Sequence, residues 1–138
     1  MYKVIKPLML IALGGFIYSA IEILYRGYTH WTMVLVGGIS FYLIGLVNEY
    51  TQYDFSIIKQ MTIGTLIVST LEFTAGIIVN IILKWNVWDY SNMPFNILGQ
   101  ICLPFSVIWF LLSFFAIVLD DICRYFIFKE DYPHYKIF

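Results

Sequence analysis

Four long apolar stretches fill most of this 138-residue chain, and they constrain it more than any single motif does. They run at about 7–28, 32–47, 61–83 and 97–119. Each approaches or exceeds the roughly 17–25 residues a helix needs to cross the hydrocarbon core of a bilayer, the second being the shortest. A small water-soluble domain buries only about two-thirds of the surface its unfolded chain exposes. A chain that is 61% hydrophobic and 12% charged therefore has lipid as its natural solvent. The stretches lack period-two alternation and are too few for a barrel. The expected fold is all-α: one polytopic domain, 1–138, of four transmembrane helices with a cytoplasmic tail at 120–138.

Basic residues set the expected orientation. In a four-span order Lys3, Lys6, Lys59, Arg124, Lys129 and Lys136 fall on one side, and Arg26 and Lys84 on the other. The positive-inside rule then puts both termini in the cytoplasm of a multi-pass cell-membrane protein. Tyr25, Tyr28, Trp31, Trp85, Trp88 and Tyr90 would form an outer aromatic belt, and Tyr50, Tyr53, Tyr125 and Phe126 an inner one. Lys3 and Lys6 ahead of an apolar run imitate a signal peptide. No convincing small-residue cleavage site follows, so the run reads as a retained first helix.

Several function classes find no support. The net charge of −1, with no basic run, gives no reason to expect nucleic acid. Cys102 and Cys123 lie about 30 Å apart along a continuous helix, too far for a disulfide, and read as free thiols. No Cys/His zinc spacing, GxSxG, HExxH or P-loop occurs, and neither a cofactor nor a metal is expected. Asp120 and Asp121 have no third carboxylate or His nearby in sequence and read as a solvated helix end. His30 and His134 fall on opposite sides of the membrane, which removes a triad using both.

The informative residues are those that are expensive to place. Glu72 lies eleven residues from either end of the third stretch, near the bilayer midplane. An ionisable group there costs several kcal/mol and normally faces protein or water. Thr65, Ser69, Glu72, Gly76 and Asn80 share one helical face, as do Gly15, Ser19, Glu22 and Arg26 on the first helix, with a smaller Gly37, Phe41, Gly45, Asn48 stripe on the second. The Gly/Ser positions read first as helix packing. Glu72 reads as functional, because Ser or Asn would supply packing polarity more cheaply. Glu22, paired to Arg26 at i,i+4, would line the same polar cavity.

The segment 17–23 matches 67–73 at an offset of fifty residues, Ile-x-Ser-small-aliphatic-Glu-apolar in both, and this would make a 2+2 helix-pair repeat. The loop after the third helix is dense in hydrogen-bonding groups: Asn86, Asp89, Ser91, Asn92, Asn96 and Gln100. Asn92 or Asn96 would cap the fourth helix, with Pro94 in its first turn and Pro104 kinking it near Gln100. An interfacial loop anchored by Trp85 and Trp88 is the plainer alternative. The segment from Tyr132 to Lys136 reads as a membrane-surface tail.

Tyr25-Arg26-Gly27-Tyr28-Thr29-His30-Trp31, Gly37-Gly38, Trp85-Asn86-Val87-Trp88-Asp89-Tyr90-Ser91 and Pro94-Phe95-Asn96-Ile97-Leu98-Gly99-Gln100-Ile101-Cys102 resemble the putative ABC-transporter type IV membrane family over nearly the whole chain. The resemblance implies a small multi-span permease-like protein. It directs attention to a cavity lined by Glu22, Arg26, Glu72, Asp89, Asn96 and Gln100. With no nucleotide-binding motif here, an ATPase would be a separate subunit, and four helices would require a homo-oligomer in contact with membrane lipid. Two other classes stay open: a non-transporting binding or sensing protein for a lipid or partner helix, and a lipid-directed enzyme with Asp89 or Glu22 as acid/base. The enzyme is the weakest, because no nucleophile–base pair can be assigned.

Overall fold

The computed structural model describes residues 2–51 and 55–129. Tyr53, His134, Lys136 and the Tyr132–Lys136 surface tail lie outside the described residues. The fold is all-α, with helix α1 at Tyr2–Arg26, α2 at Trp31–Thr51, α3 at Ile57–Gly76 and α4 at Leu103–Phe126. Helix α3 runs on without a break into a π-helical turn, Ile77–Ile82. All four helices are long and apolar enough to cross a membrane. Large aliphatic and aromatic side chains such as Phe16, Leu24, Leu66 and Phe115 stand exposed on the outer faces, as a lipid-facing surface requires.

Local chemistry sets most of the helix ends. Gly27 takes φ +85° just past α1, and its N–H closes on the Ile23 carbonyl at 2.8 Å, the αL stop that glycine adopts freely. Ser56 caps α3, its hydroxyl accepting from the Lys59 N–H at 3.2 Å. The start of α4 differs from expectation. It begins at Leu103 rather than near 97, and neither Asn92 nor Asn96 caps it; Cys102 occupies the N-cap position with no side-chain bond. Pro104 therefore sits in the first turn, where its missing N–H is harmless, instead of kinking a helix interior. The helix runs on to Phe126, so 120–126 are helical rather than tail.

Helix α2, the shortest of the expected spans, is the central one. It packs against α1, α3 and α4, and 44% of its apolar window is buried, against 17–22% for the other three. Small residues permit this. A β-carbon on Gly38 would collide with the Ile11 backbone carbonyl of α1, and one on Gly45 with the Asp120 carboxylate of α4. Asp120 and Asp121 are accordingly buried in the α2–α4 interface, which corrects the solvated-helix-end reading. Asp120 accepts from Arg124 Nε at 2.7 Å, Arg124 Nη1 pairs with Glu49 at 2.6 Å, and Asn48 Nδ2 donates to Asp121 at 2.5 Å. The physical reason is register: with α4 reaching Phe126, the series Trp109, Ser113, Ile117, Asp120, Arg124 forms one buried face.

Candidate functional site

At the other end of the bundle the loop 83–102 folds onto the helices as a fitted cap. Asn80, in the π-helical turn, organises it. Its carbonyl oxygen accepts from the backbone N–H of Val87 at 2.7 Å and of Trp88 at 3.4 Å, and its amide donates to Gln100 Oε1 at 2.8 Å. The Trp88 indole donates to the Gln100 carbonyl at 3.0 Å. Gly76 leaves room for this, since a β-carbon there would press on both Gln100 and Trp88. Lys84, Asn86, Phe95 and Leu98 are held at φ +53° to +58°, a left-handed region costing roughly 1–2 kcal/mol per non-glycine residue. Such a loop keeps its shape only because these bonds over-determine it.

Cap and helices converge on Glu72, which is 2% exposed. Tyr90 Oη donates to Glu72 Oε2 at 3.3 Å from the loop, and Trp109 Nε1 donates to Oε1 at 3.5 Å from α4. Both donors are neutral, and among the described residues no ion pair reaches this carboxyl. Tyr90 stacks on Phe105 with ring centroids 4.8 Å apart, Phe105 lies 6.3 Å from Trp109, and Trp109 lies 5.9 Å from Tyr18 of α1. Four aromatic rings thus stand around or beside one buried carboxyl group. Burial, and then the neighbouring Glu72, push the Tyr90 hydroxyl well above the usual phenol range, so it stays a donor.

Two cavities meet at this point. The inner one, about 140 Å³, lies between α1 and α4, is floored by α2 and α3, and has Glu72, Ser40 and Ser113 as its polar wall groups. The outer one, about 190 Å³, is lined by Glu22, Arg26, Met33, Trp88, Tyr90 and Phe105 among others. Tyr18, Ile21, Trp109 and Leu112 belong to both walls and form the partition. In the outer cavity Arg26 is committed: Nη2 to Glu22 at 3.1 Å, Nη1 to the Val87 carbonyl at 3.3 Å, with the guanidinium 4.5 Å from the Tyr28 ring. Glu22 also accepts from the Thr29 hydroxyl at 2.6 Å.

The six residues singled out from sequence therefore separate. Glu72 lines the inner cavity, and Glu22 and Arg26 the outer one. Asn96 and Gln100 line neither, because both are spent on the cap. Asn96 donates to the Met93 carbonyl at 2.9 Å and accepts from the Gly99 N–H at 3.0 Å, and Gln100 binds Asn80 and donates to the Leu98 carbonyl at 2.9 Å. Asp89 is exposed and holds the Ser91 N–H at 2.9 Å, a bond that lowers its carboxyl below the usual range. Trp88 and Tyr90, expected in an interfacial belt, face inward instead, while Trp85 remains at the surface beside Trp31. Cys102 is buried as well, which raises its thiol. Sequence reasoning missed Tyr18, Ser40, Trp109 and Ser113. Trp109 and Ser113 could have been found as the four-residue stripe that continues to Ile117; an aromatic or a serine in an apolar helix carries little signal by itself.

No curated protein and no solved structure matches the chain. Residues 4–132 match the family described as putative ABC-transporter type IV, and the protein is accordingly a multi-pass membrane member of that family.

Proposed function

We propose that the protein is the membrane-embedded part of a transporter, working through the Glu72 cavities as an oligomer with a separate ATPase subunit. The observation that carries this reading is Glu72 itself, a carboxyl at mid-span, bordering a cavity and held only by neutral donors. Intramembrane ionisable groups of this kind mark substrate or ion pathways. Family membership supports the ATPase, and with no nucleotide-binding motif in this sequence the reading puts it on a separate chain.

Both termini belong on the cytoplasmic side in this reading, following the distribution of lysine and arginine. The capped end, with Arg26 and Lys84, then faces outward and is closed by the 83–102 loop. A helix-pair repeat belongs to this reading, and Arg26 at the end of α1 and Asn80 in the π-helical turn after α3 both reach Val87, the first through its carbonyl and the second through its N–H. The chain is non-catalytic in this reading: among the described residues the hydrogen-bond partners of Glu72 are an indole and a phenol.

Recovery of tagged protein in native-like lipid, with mass spectrometry of what accompanies it, tests the assignment. The expected result is a co-purifying ATPase subunit. Recovery of the chain alone with a tightly held lipid would overturn transport in favour of a binding or sensing role.

A further inference from the structure

The inner cavity carries one acidic group and no basic one. Its walls are aliphatic and aromatic apart from Glu72, Ser40 and Ser113. Ser113 is occupied, donating to the Trp109 carbonyl at 2.7 Å. Ser40 is not: its hydroxyl is buried, at 5% residue exposure, with no hydrogen-bond partner. Arg26 stands beyond the Tyr18–Trp109 partition and is already bound to Glu22. A carboxylate in a low-dielectric site attracts a counter-charge, and nothing on this cavity's wall supplies one. Aromatic faces beside it add cation–π attraction, worth about 2 kcal/mol where the cation is desolvated. The cavity also lies between α1 and α4, which pack less closely on each other than on α2 and come together at Tyr18–Trp109 and in the cluster of Leu10, Phe41 and Cys123.

We infer that this chamber binds a lipophilic organic cation, an ammonium group on an apolar body, with Glu72 as counter-ion and Trp109 and Tyr18 as aromatic walls. The inference deepens the transport reading by naming its substrate class and rests on that reading for the fate of the bound cation. Binding itself can be measured without transport. An anion would meet Glu72 with no compensating base, and a neutral molecule would leave the Glu72 carboxylate without a counter-charge. Ile21 of α1 and Phe115 of α4 are both on the cavity wall and exposed at the outer surface, so an apolar body can enter between them from the lipid phase and the cation need not pass the 83–102 cap.

The test uses the full chain in lipid nanodiscs with benzyltrimethylammonium as probe and neopentylbenzene, its neutral carbon isostere, as control. Equilibrium dialysis gives occupancy, and the difference in tryptophan fluorescence between the wild type and Trp109→Leu isolates Trp109 from the other three tryptophans. The expected result is saturable binding of the cation, at least about ten-fold tighter than the isostere, and lost in Glu72→Gln. Equal retention of cation and isostere, or unchanged binding by Glu72→Gln, would overturn the inference. Should Glu72→Gln fail to fold, Trp109→Leu carries the variant arm, and the cation–isostere comparison on the wild type needs no variant. A failed binding test alongside a recovered ATPase would leave the transport reading standing with a different substrate. The reverse pair of results would make the chamber a cation-binding site without transport.

Discussion

Asn80 shows how much one side chain can hold in this protein. It joins the π-helical turn to two backbone N–H groups and to Gln100, and removing it would strand Val87 N–H in a buried position. A buried donor left unpaired costs about 1–3 kcal/mol. Asn80→Ala is therefore expected to lower unfolding stability by that amount in a bilayer mimic and to loosen the 83–102 loop, read as faster amide exchange at Val87 and Trp88. Arg124 occupies a comparable place at the opposite end, between Asp120 and Glu49. Breaking a buried ion pair by removing one partner costs about 3–5 kcal/mol, and Arg124→Ala should approach that loss, with Asp120→Asn in the same background restoring part of it. Glu72 differs from both, since its two hydrogen bonds are long and come from neutral donors.

Helix α2 is the element on which the other three assemble, and close approach is its contribution. A β-carbon at Gly38 would run into the Ile11 backbone carbonyl, and one at Gly37 would meet the Cβ and ring root of Tyr18 at 2.7–2.8 Å, neither of which can rotate aside. Gly38→Ala and Gly37→Ala should thus each cost about 1–3 kcal/mol of unfolding stability, which equilibrium unfolding in mixed micelles would measure. The glycine stripe was visible in the sequence through its spacing, and the structure sets Gly37 against Tyr18 and Gly45 against Asp120. Harder to see was the loop's burial of Trp88 and Tyr90. Aromatic residues beside a predicted span suit an interfacial belt and an inward-folded cap equally well. Which one forms depends on Asn80 and Gln100 meeting across twenty residues. The late start of α4 escaped for a related reason: 97–102 is apolar enough to extend a helix, yet Ile97 and Ile101 pair backbone to backbone at 2.9 Å in a turn.

At the scale of the molecule, two differently built ends face opposite ways. One is closed by the hydrogen-bonded cap around Trp88 and Gln100, the other by the charged network of Asn48, Glu49, Asp120, Asp121 and Arg124. Span number and the burial of Glu72 were legible from composition and position, because both follow from the expense of placing polar groups in lipid. The division into two cavities was not, since it depends on two apolar-looking residues, Tyr18 and Trp109, arriving at one point from α1 and α4. Orientation is open to a direct check. Lys84 and Lys59 are both exposed and lie at opposite ends. In intact cells a membrane-impermeant maleimide should label Lys84→Cys and spare Lys59→Cys; the opposite pattern would invert the assigned topology.

Most depends on whether Glu72 is present for function or for packing, and the unfolding stability of Glu72→Gln in lipid separates the two. A functional carboxyl is carried at a cost to stability, so the neutral amide should leave stability unchanged or raise it by about 1 kcal/mol. A packing role would instead show as a loss of about 1–3 kcal/mol when one of the two oxygens that accept from Tyr90 and Trp109 is replaced by an amide donor. The expected result is the first; the second would contradict the assignment of Glu72 as the functional centre.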